Sequence, residues 1–258
     1  MSYLQNIRNQ ITIKNTFASI CDLNIKDFPE NGYNLFYSQL ERGRAILQTT
    51  EQCNAYMACY SDMHSIKLNS SFKALFHYVN LRNEKIEVVD WGCGQAMATG
   101  CLHDFILQKN YNIQISKCTL IEPSEIALER AFIHINELNI TKNVNKIQNY
   151  ADARLIFNSS KNSEMNKIHM FSNLLDMSTI NLDIIFDNII ENFTGTNYFV
   201  CVSPLAMNRL DYFLGLFRTA EIIRRENSPI IGKIFRPSLK QRTTRNISRC
   251  EIIFKVEL

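Results

Sequence analysis

Glycine and proline are scarce in this chain, at 8 and 5 of 258 residues, and no Pro/Gly/Ser-rich stretch divides it. That excludes a low-complexity or linker-like protein. Long apolar runs are also missing. The best candidate, Leu182 to Ile190, is short and carries Asp183 and Asp187, far from the ~18 consecutive apolar residues a membrane span needs. The opening Met-Ser-Tyr-Leu-Gln-Asn has no basic segment followed by an apolar one, so no secretory leader is expected. None of the 8 cysteines is spaced as Cys-x-x-Cys, which removes the zinc-knuckle and redox-pair signatures. Cys118 and Cys201 lie inside apolar runs, where a thiol behaves as a small hydrophobe. Reduced thiols and a cytoplasmic location are the expectation.

What is present is material for a core. Hydrophobic residues make up 46% and charged residues 21%, with 16 Phe, 10 Tyr and 1 Trp. These values fit one large globular domain or a core domain with a helical appendage. The net charge of +3 is unevenly spread. Residues 224–258 hold nine Lys/Arg against three Glu, so the preceding 223 residues carry −3. The stretch 236–249 contains Arg236, Lys240, Arg242, Arg245 and Arg249 with no acid. Read as a loop between the last two strands, it suggests phosphate contact, with RNA as the partner, although no aromatic is present for base stacking.

Texture changes near Asn83. Before it, Tyr33–Thr49 and Glu51–Ile66 show helical spacing, and Ser70-Ser71 reads as the cap of a further helix through Phe72 and Val79. Residues 1–82 are therefore expected to form a helical extension, or lid, on a domain spanning 83–258. After Asn83, strand-like runs alternate with helical ones: strands at Glu87–Asp90, Cys118–Ile121, Val144–Tyr150, Lys167–Leu175 and Asn197–Val202, helices at Gln95–Gln108, Ser124–Leu138 and Leu182–Asn192. A long amphipathic helix is expected over Leu205–Arg225, then strands at Ile230–Phe235 and Cys250–Val256. This alternation predicts a doubly wound, mostly parallel sheet covered on both faces, with an antiparallel edge.

The sharpest local pattern is Asp90-Trp-Gly92-Cys-Gly94-Gln-Ala96 after a strand and before a helix. Two glycines there allow a tight turn and close approach of a ligand at the carboxyl end of the first strand. A nicotinamide fingerprint wants a glycine where Met97 stands, and Asp90 would repel a pyrophosphate. A cationic ligand suits Asp90 in sign.

On these residues, the segment 86–205 resembles the class I, Rossmann-like S-adenosylmethionine-dependent methyltransferases, whose third motif glycine is Ala96 here. The resemblance implies a seven-stranded sheet and S-adenosylmethionine as the methyl donor. It places Asp90, Gly92 and Gly94 in the donor site and gives Glu122, in Leu-Ile-Glu-Pro, the ribose hydroxyls. Asp152 would accept from the adenine amino group, and Ala153 would present its backbone to the ring. The acceptor is expected beyond the fourth strand, in His169-Met-Phe-Ser-Asn-Leu-Leu-Asp176, which makes Asn173 and Asp176 the catalytic candidates. That segment is not the Asn/Asp-Pro-Pro-Tyr sequence of nucleic-acid amino methylation. Tyr56, Tyr60, His64 and Lys67 share one helix face, so Tyr60 and His64, with Ser203 after the fifth strand, are substrate-side candidates. Methyl transfer needs alignment rather than a metal. The acceptor stays open among RNA, protein and a small molecule, with RNA favoured by the basic stretch. The alternative is a non-catalytic binding or assembly module on the same fold.

Overall fold

The computed structural model describes residues 3–13, 15–29, 32, 38–81, 84–157 and 165–258. Among the described residues, α1 (Tyr3–Ile13), α2 (Phe17–Lys26) and the long α3 (Thr50–Tyr78) precede the first strand, with a 3-10 turn at Glu41–Gly43 between α2 and α3. There follow β1 (Lys85–Trp91), α4 (Met97–Gln108), β2 (Gln114–Ile121), α5 (Glu125–Glu137), β3 (Val144–Ile147), β4 (Asn166–Ser172), α6 (Leu182–Asn192), β5 (Thr196–Ser203) and α7 (Met207–Gly215). Strands β6 (Glu221–Glu226), β7 (Ile230–Arg236), β8 (Gln241–Ile247) and β9 (Cys250–Glu257) close the described chain.

Seven strands form one sheet in the order β3-β2-β1-β4-β5-β9-β6, and β7 pairs with β8 in a separate hairpin. The first five strands are parallel, while β9 runs antiparallel to both β5 and β6. This is the doubly wound, mostly parallel Rossmann-like sheet that the alternation predicts. Strand β1, between β2 and β4, is buried from Ile86 onward, as expected for a parallel strand covered on both faces. Period-two alternation sorts the two cores. Val88, Leu120 and Ile168 join one cluster, and Val89, Ile121 and Phe171 join the other.

The N-terminal helices are built into the first core. Ile7, Phe17, Ile20 and Phe72 belong to the cluster that holds Val88. A Cβ at Gly100 of α4 would lie 2.2 Å from the Phe17 ring, so α2 and α4 approach each other only because that residue is glycine. Asp104 of α4 accepts from the Phe17 and Ala18 backbone N–H groups at 2.8 Å each, satisfying orphan donors at the start of α2.

Several sequence expectations change. Helix α3 runs unbroken through Ser70-Ser71, and its cap is the Thr49/Gln52 box instead. Ser71 donates to Glu251 of β9 at 2.5 Å, a tertiary role that its helix-capping type hides. Of the helix expected over Tyr33–Thr49, residues 33–37 lie outside the described ones, and 38–49 form turns. The long helix expected over Leu205–Arg225 ends at Gly215, and Glu221–Glu226 pairs with β9 instead. There, strand pairing overrides a locally helical pattern. The basic stretch 236–249 is not a loop: β8 occupies half of it, and only the connection ending at Lys240, φ +51, turns the chain.

The hairpin β7–β8 packs on α3. Gly232 lets β7 approach Ile66, whose Cδ1 a Cβ would meet at 2.4 Å. Asp62 of α3 accepts from the Phe235 backbone and from Arg242, which also pairs with Asp22.

Candidate functional site

Strand β1 leaves the sheet into a turn where Gly92, Gly94 and Ala96 all have left-handed backbones, with φ +62, +53 and +60. A Cβ at Gly94 would meet nothing within 4 Å, so its open side faces free space, whereas one at Gly92 would come 3.1 Å from Leu174. Around this turn lies a cleft of about 810 Å³ at the carboxyl ends of the parallel strands. Its floor includes Gly92, Gly94, Glu122, Asp152, Ser172 and Asn173, and its outer wall is the segment 39–47 with Tyr56. A second, small cavity behind the turn is lined by Asp90, Tyr56, His64 and Ser172 among others.

Asp90 is buried. It accepts from Thr99 Oγ1 at 2.7 Å and from Thr99 N–H at 3.2 Å, so it caps the first turn of α4 where Ala96 offers no side-chain cap. Desolvation pushes its carboxyl up to about 7, against the pull of the Thr99 bonds, with the nearby Glu122 adding to the rise. Glu122 sits on the cleft floor. One oxygen accepts from Gly94 N–H at 2.9 Å and the other from Ser124 N–H at 3.0 Å. Burial raises its pKa, and these two backbone bonds oppose the rise. A carboxylate has about four lone-pair sites, so both oxygens retain capacity for a diol. Asp152 lines the same cleft and accepts from Asn181 N–H at 2.9 Å, which ties it to the cap of α6. Ala153 is not on the cleft wall. Its N–H bonds Tyr150 and its carbonyl accepts from Asn188, so both its backbone groups are engaged. Ala151 stands on the wall beside Asp152 instead.

Asn173 lies on the wall just past β4 with φ +58. Its N–H donates to Val202 at 2.7 Å, its Nδ2 donates to Ser172 Oγ at 3.0 Å, and its Oδ1 accepts from Lys67 Nζ at 2.5 Å. Asp176 and Ser203 sit behind that wall. Asp176 Oδ1 and Ser203 Oγ are buried without a hydrogen-bond partner among the described residues. Burial raises the Asp176 pKa, and the neighbouring Ser203 and Lys67 pull it back.

The shared face of α3 turns toward the site. Tyr56, Tyr60 and His64 form a ladder of rings with centroids 5.1 and 6.2 Å apart, and Gly43 of the outer wall rests on both tyrosines. His64 is held neutral, its pKa lowered to about 3 by burial and by Lys67. Lys67 is 3% exposed, and desolvation brings its pKa down to about 8, opposed by Asp176. The outer wall, 39–47, is what sequence reasoning missed, because apolar spacing there imitates a helix. Gly43 within that stretch was the available signal for a turn.

No protein-family model matches the sequence, and no curated protein matches it. Among solved structures the chain is similar to a SAM-dependent O-methyltransferase from Thermotoga maritima, at 13% identity over 87% of this chain and 71% of that one, with a TM-score of 0.45. It is similar to a precorrin-6y C5,15-methyltransferase from Geobacter metallireducens, at 11% identity over 83% and 91%, TM-score 0.45. A SAM-dependent methyltransferase from Aquifex aeolicus shares 11% identity over 76% and 94%, TM-score 0.44. These are likenesses of fold and carry no argument about what this chain binds.

Proposed function

We propose that this protein is an S-adenosylmethionine-dependent methyltransferase. The observation that carries the reading is Glu122: a carboxylate at the end of the second strand, held by the Gly94 and Ser124 N–H groups on the floor of a cleft of about 810 Å³. That volume is within the range of sites that enclose a small ligand, roughly 300–1,000 Å³. The donor set fits the cofactor in sign and shape. Gly94 leaves the backbone open to close approach. Glu122 offers acceptors for two ribose hydroxyls, Asp152 offers one for an amino group, and Asp90 lines the adjoining cavity as the partner of a cationic end. When bound, S-adenosylmethionine supplies a methyl group activated by its sulfonium. A dinucleotide pyrophosphate would meet these same carboxylates with the wrong charge.

Titration calorimetry with S-adenosylhomocysteine and, separately, with NADH tests the reading. Binding of the first and not the second is expected. Glu122→Ala should weaken S-adenosylhomocysteine binding by about 1.5–3 kcal/mol, the usual cost of losing hydrogen bonds to a charged group. Unchanged affinity in a folded variant removes Glu122 from the site. Transfer of label from [methyl-³H]S-adenosylmethionine to any component of a cell extract separates an enzyme from a non-catalytic module that only holds the ligand. For RNA as the acceptor, the support is now narrower. Arg242 is paired with Asp62 and Asp22, and Arg249 is buried against Glu226 and Glu251, so the stretch offers a phosphate fewer cations than its count suggests.

A further inference from the structure

We propose that the acceptor end of the cleft is an anion subsite, in which Lys67 of α3 orients Asn173 to donate, so that the group accepting the methyl is a carboxylate or an ionised hydroxyl. This rests on the methyl-transfer reading above. The argument begins with the orientation of one amide. Lys67 Nζ stands 2.5 Å from the Asn173 side chain. An ammonium has only donors, so the amide must turn its oxygen toward it; the reverse orientation sets donor against donor. With Oδ1 engaged by a cation, Nδ2 remains, and one of its two hydrogens goes to Ser172 Oγ. Asn173 thus shows the cleft a hydrogen-bond donor. An amine acceptor needs the opposite, a lone pair to take its N–H.

Charge points the same way. Lys67 is 3% exposed, and among the described residues its ammonium makes this one hydrogen bond and no ion pair. The charged and titratable groups around it are His64 on its own helix, Asp176 after β4 and Cys250 on β9. His64 is neutral, and Asp176 makes no salt bridge with Lys67, so among the described residues the ammonium has no paired counter-ion. The cleft that Asn173 lines also carries the carboxyls of Glu122 and Asp152. With the Lys67 ammonium behind Asn173 and carboxyls on the floor, the cleft offers groups of both signs, as a cationic donor and an anionic acceptor require. The chemistry balances without a base. The oxyanion lone pair forms the O–C bond, the S–C pair stays on sulfur, and no proton is left over.

The test uses benzoate and benzylamine as probes, titrated into the protein with and without saturating S-adenosylhomocysteine and followed by calorimetry. Benzoate should bind and benzylamine should not. Lys67→Met, close in volume and apolar, should weaken benzoate ~10-fold or more, the scale for loss of a charged partner, with S-adenosylhomocysteine affinity unchanged. Lys67→Arg should restore most of it. Because the ammonium persists only below its lowered pKa of about 8, wild-type benzoate affinity should fall between pH 7 and 9.5, and the Arg variant should stay level. Absence of benzoate binding, preference for benzylamine, or a Lys67→Met protein that binds benzoate like wild type overturns the anion subsite. Failure of S-adenosylhomocysteine to bind, with benzoate still held through Lys67, instead overturns the methyl-donor reading alone.

Discussion

At Asp90 a carboxyl in an apolar setting does two jobs that oppose each other. It caps α4 through Thr99, and it sits where a cationic ligand would need its charge. Desolvation wins over the capping bonds and lifts the pKa to about 7. The sign of the consequence follows from proton counting. The unfolded chain loses this proton near pH 4, the folded one near 7, so the folded state binds more protons in between and stability falls as pH rises through that window. The slope from this group approaches ~1.4 kcal/mol per pH unit. Asp90→Asn cannot titrate. Urea unfolding at pH 4.5 and pH 7 should therefore show the variant gaining ~2–3 kcal/mol on wild type at the higher pH. A pH-independent difference would mean that Asp90 is ionised in the folded protein.

At the scale of elements, glycines set how closely the helices and hairpin approach. Gly100 sits in α4 where a Cβ would fall 2.2 Å from the Phe17 ring. Intrinsic propensity favours alanine there by ~1 kcal/mol, while overpacking typically costs ~1–3 kcal/mol. A contact that short against a ring 1% exposed, which has little room to yield, decides the sign. Gly100→Ala should lower stability by about 1–3 kcal/mol in a denaturation curve, with α2 and α1 losing amide protection first. An increase in stability would show that α2 is only loosely docked. The hairpin works similarly from the other side. Gly232 lies against Ile66, and Arg242 grips Asp62, two residues from both Tyr60 and His64. Its cations thus support the helix that carries Lys67.

For the whole molecule, the excess of positive charge in 224–258 is a weaker pointer to RNA than its count suggests. With Arg242 and Arg249 paired, at most three of the five cations in 236–249 can meet a phosphate. With ~0.7 per phosphate contact on single strands, filter binding across a salt series should give a log–log slope no steeper than about −2. A steeper slope would place RNA on another face. Among the described residues no helix is long and apolar enough to cross a membrane.

Much of the fold was legible in the sequence because its signals are local. Apolar runs such as Val88-Val89 and Phe199-Val200 mark buried parallel strands, Ser124 marks a helix start, and Gly92/Gly94 mark the turn at the end of β1. The carboxylates Glu122 and Asp152, which the family resemblance singles out, both line the cleft. What local pattern could not decide was pairing and contact between distant residues. Whether 221–226 continues α7 or joins β9 depends on a partner near residue 250. Whether 236–249 is loop or strand depends on β7. Whether Ser71 caps a helix or meets Glu251 depends on a residue 180 positions away. The link from Lys67 to Asn173 spans 106 positions. Hydrophobic periodicity reports which face of an element is buried, whereas only tertiary packing reports what lies against that face, and the chemistry of this cleft is set by the second.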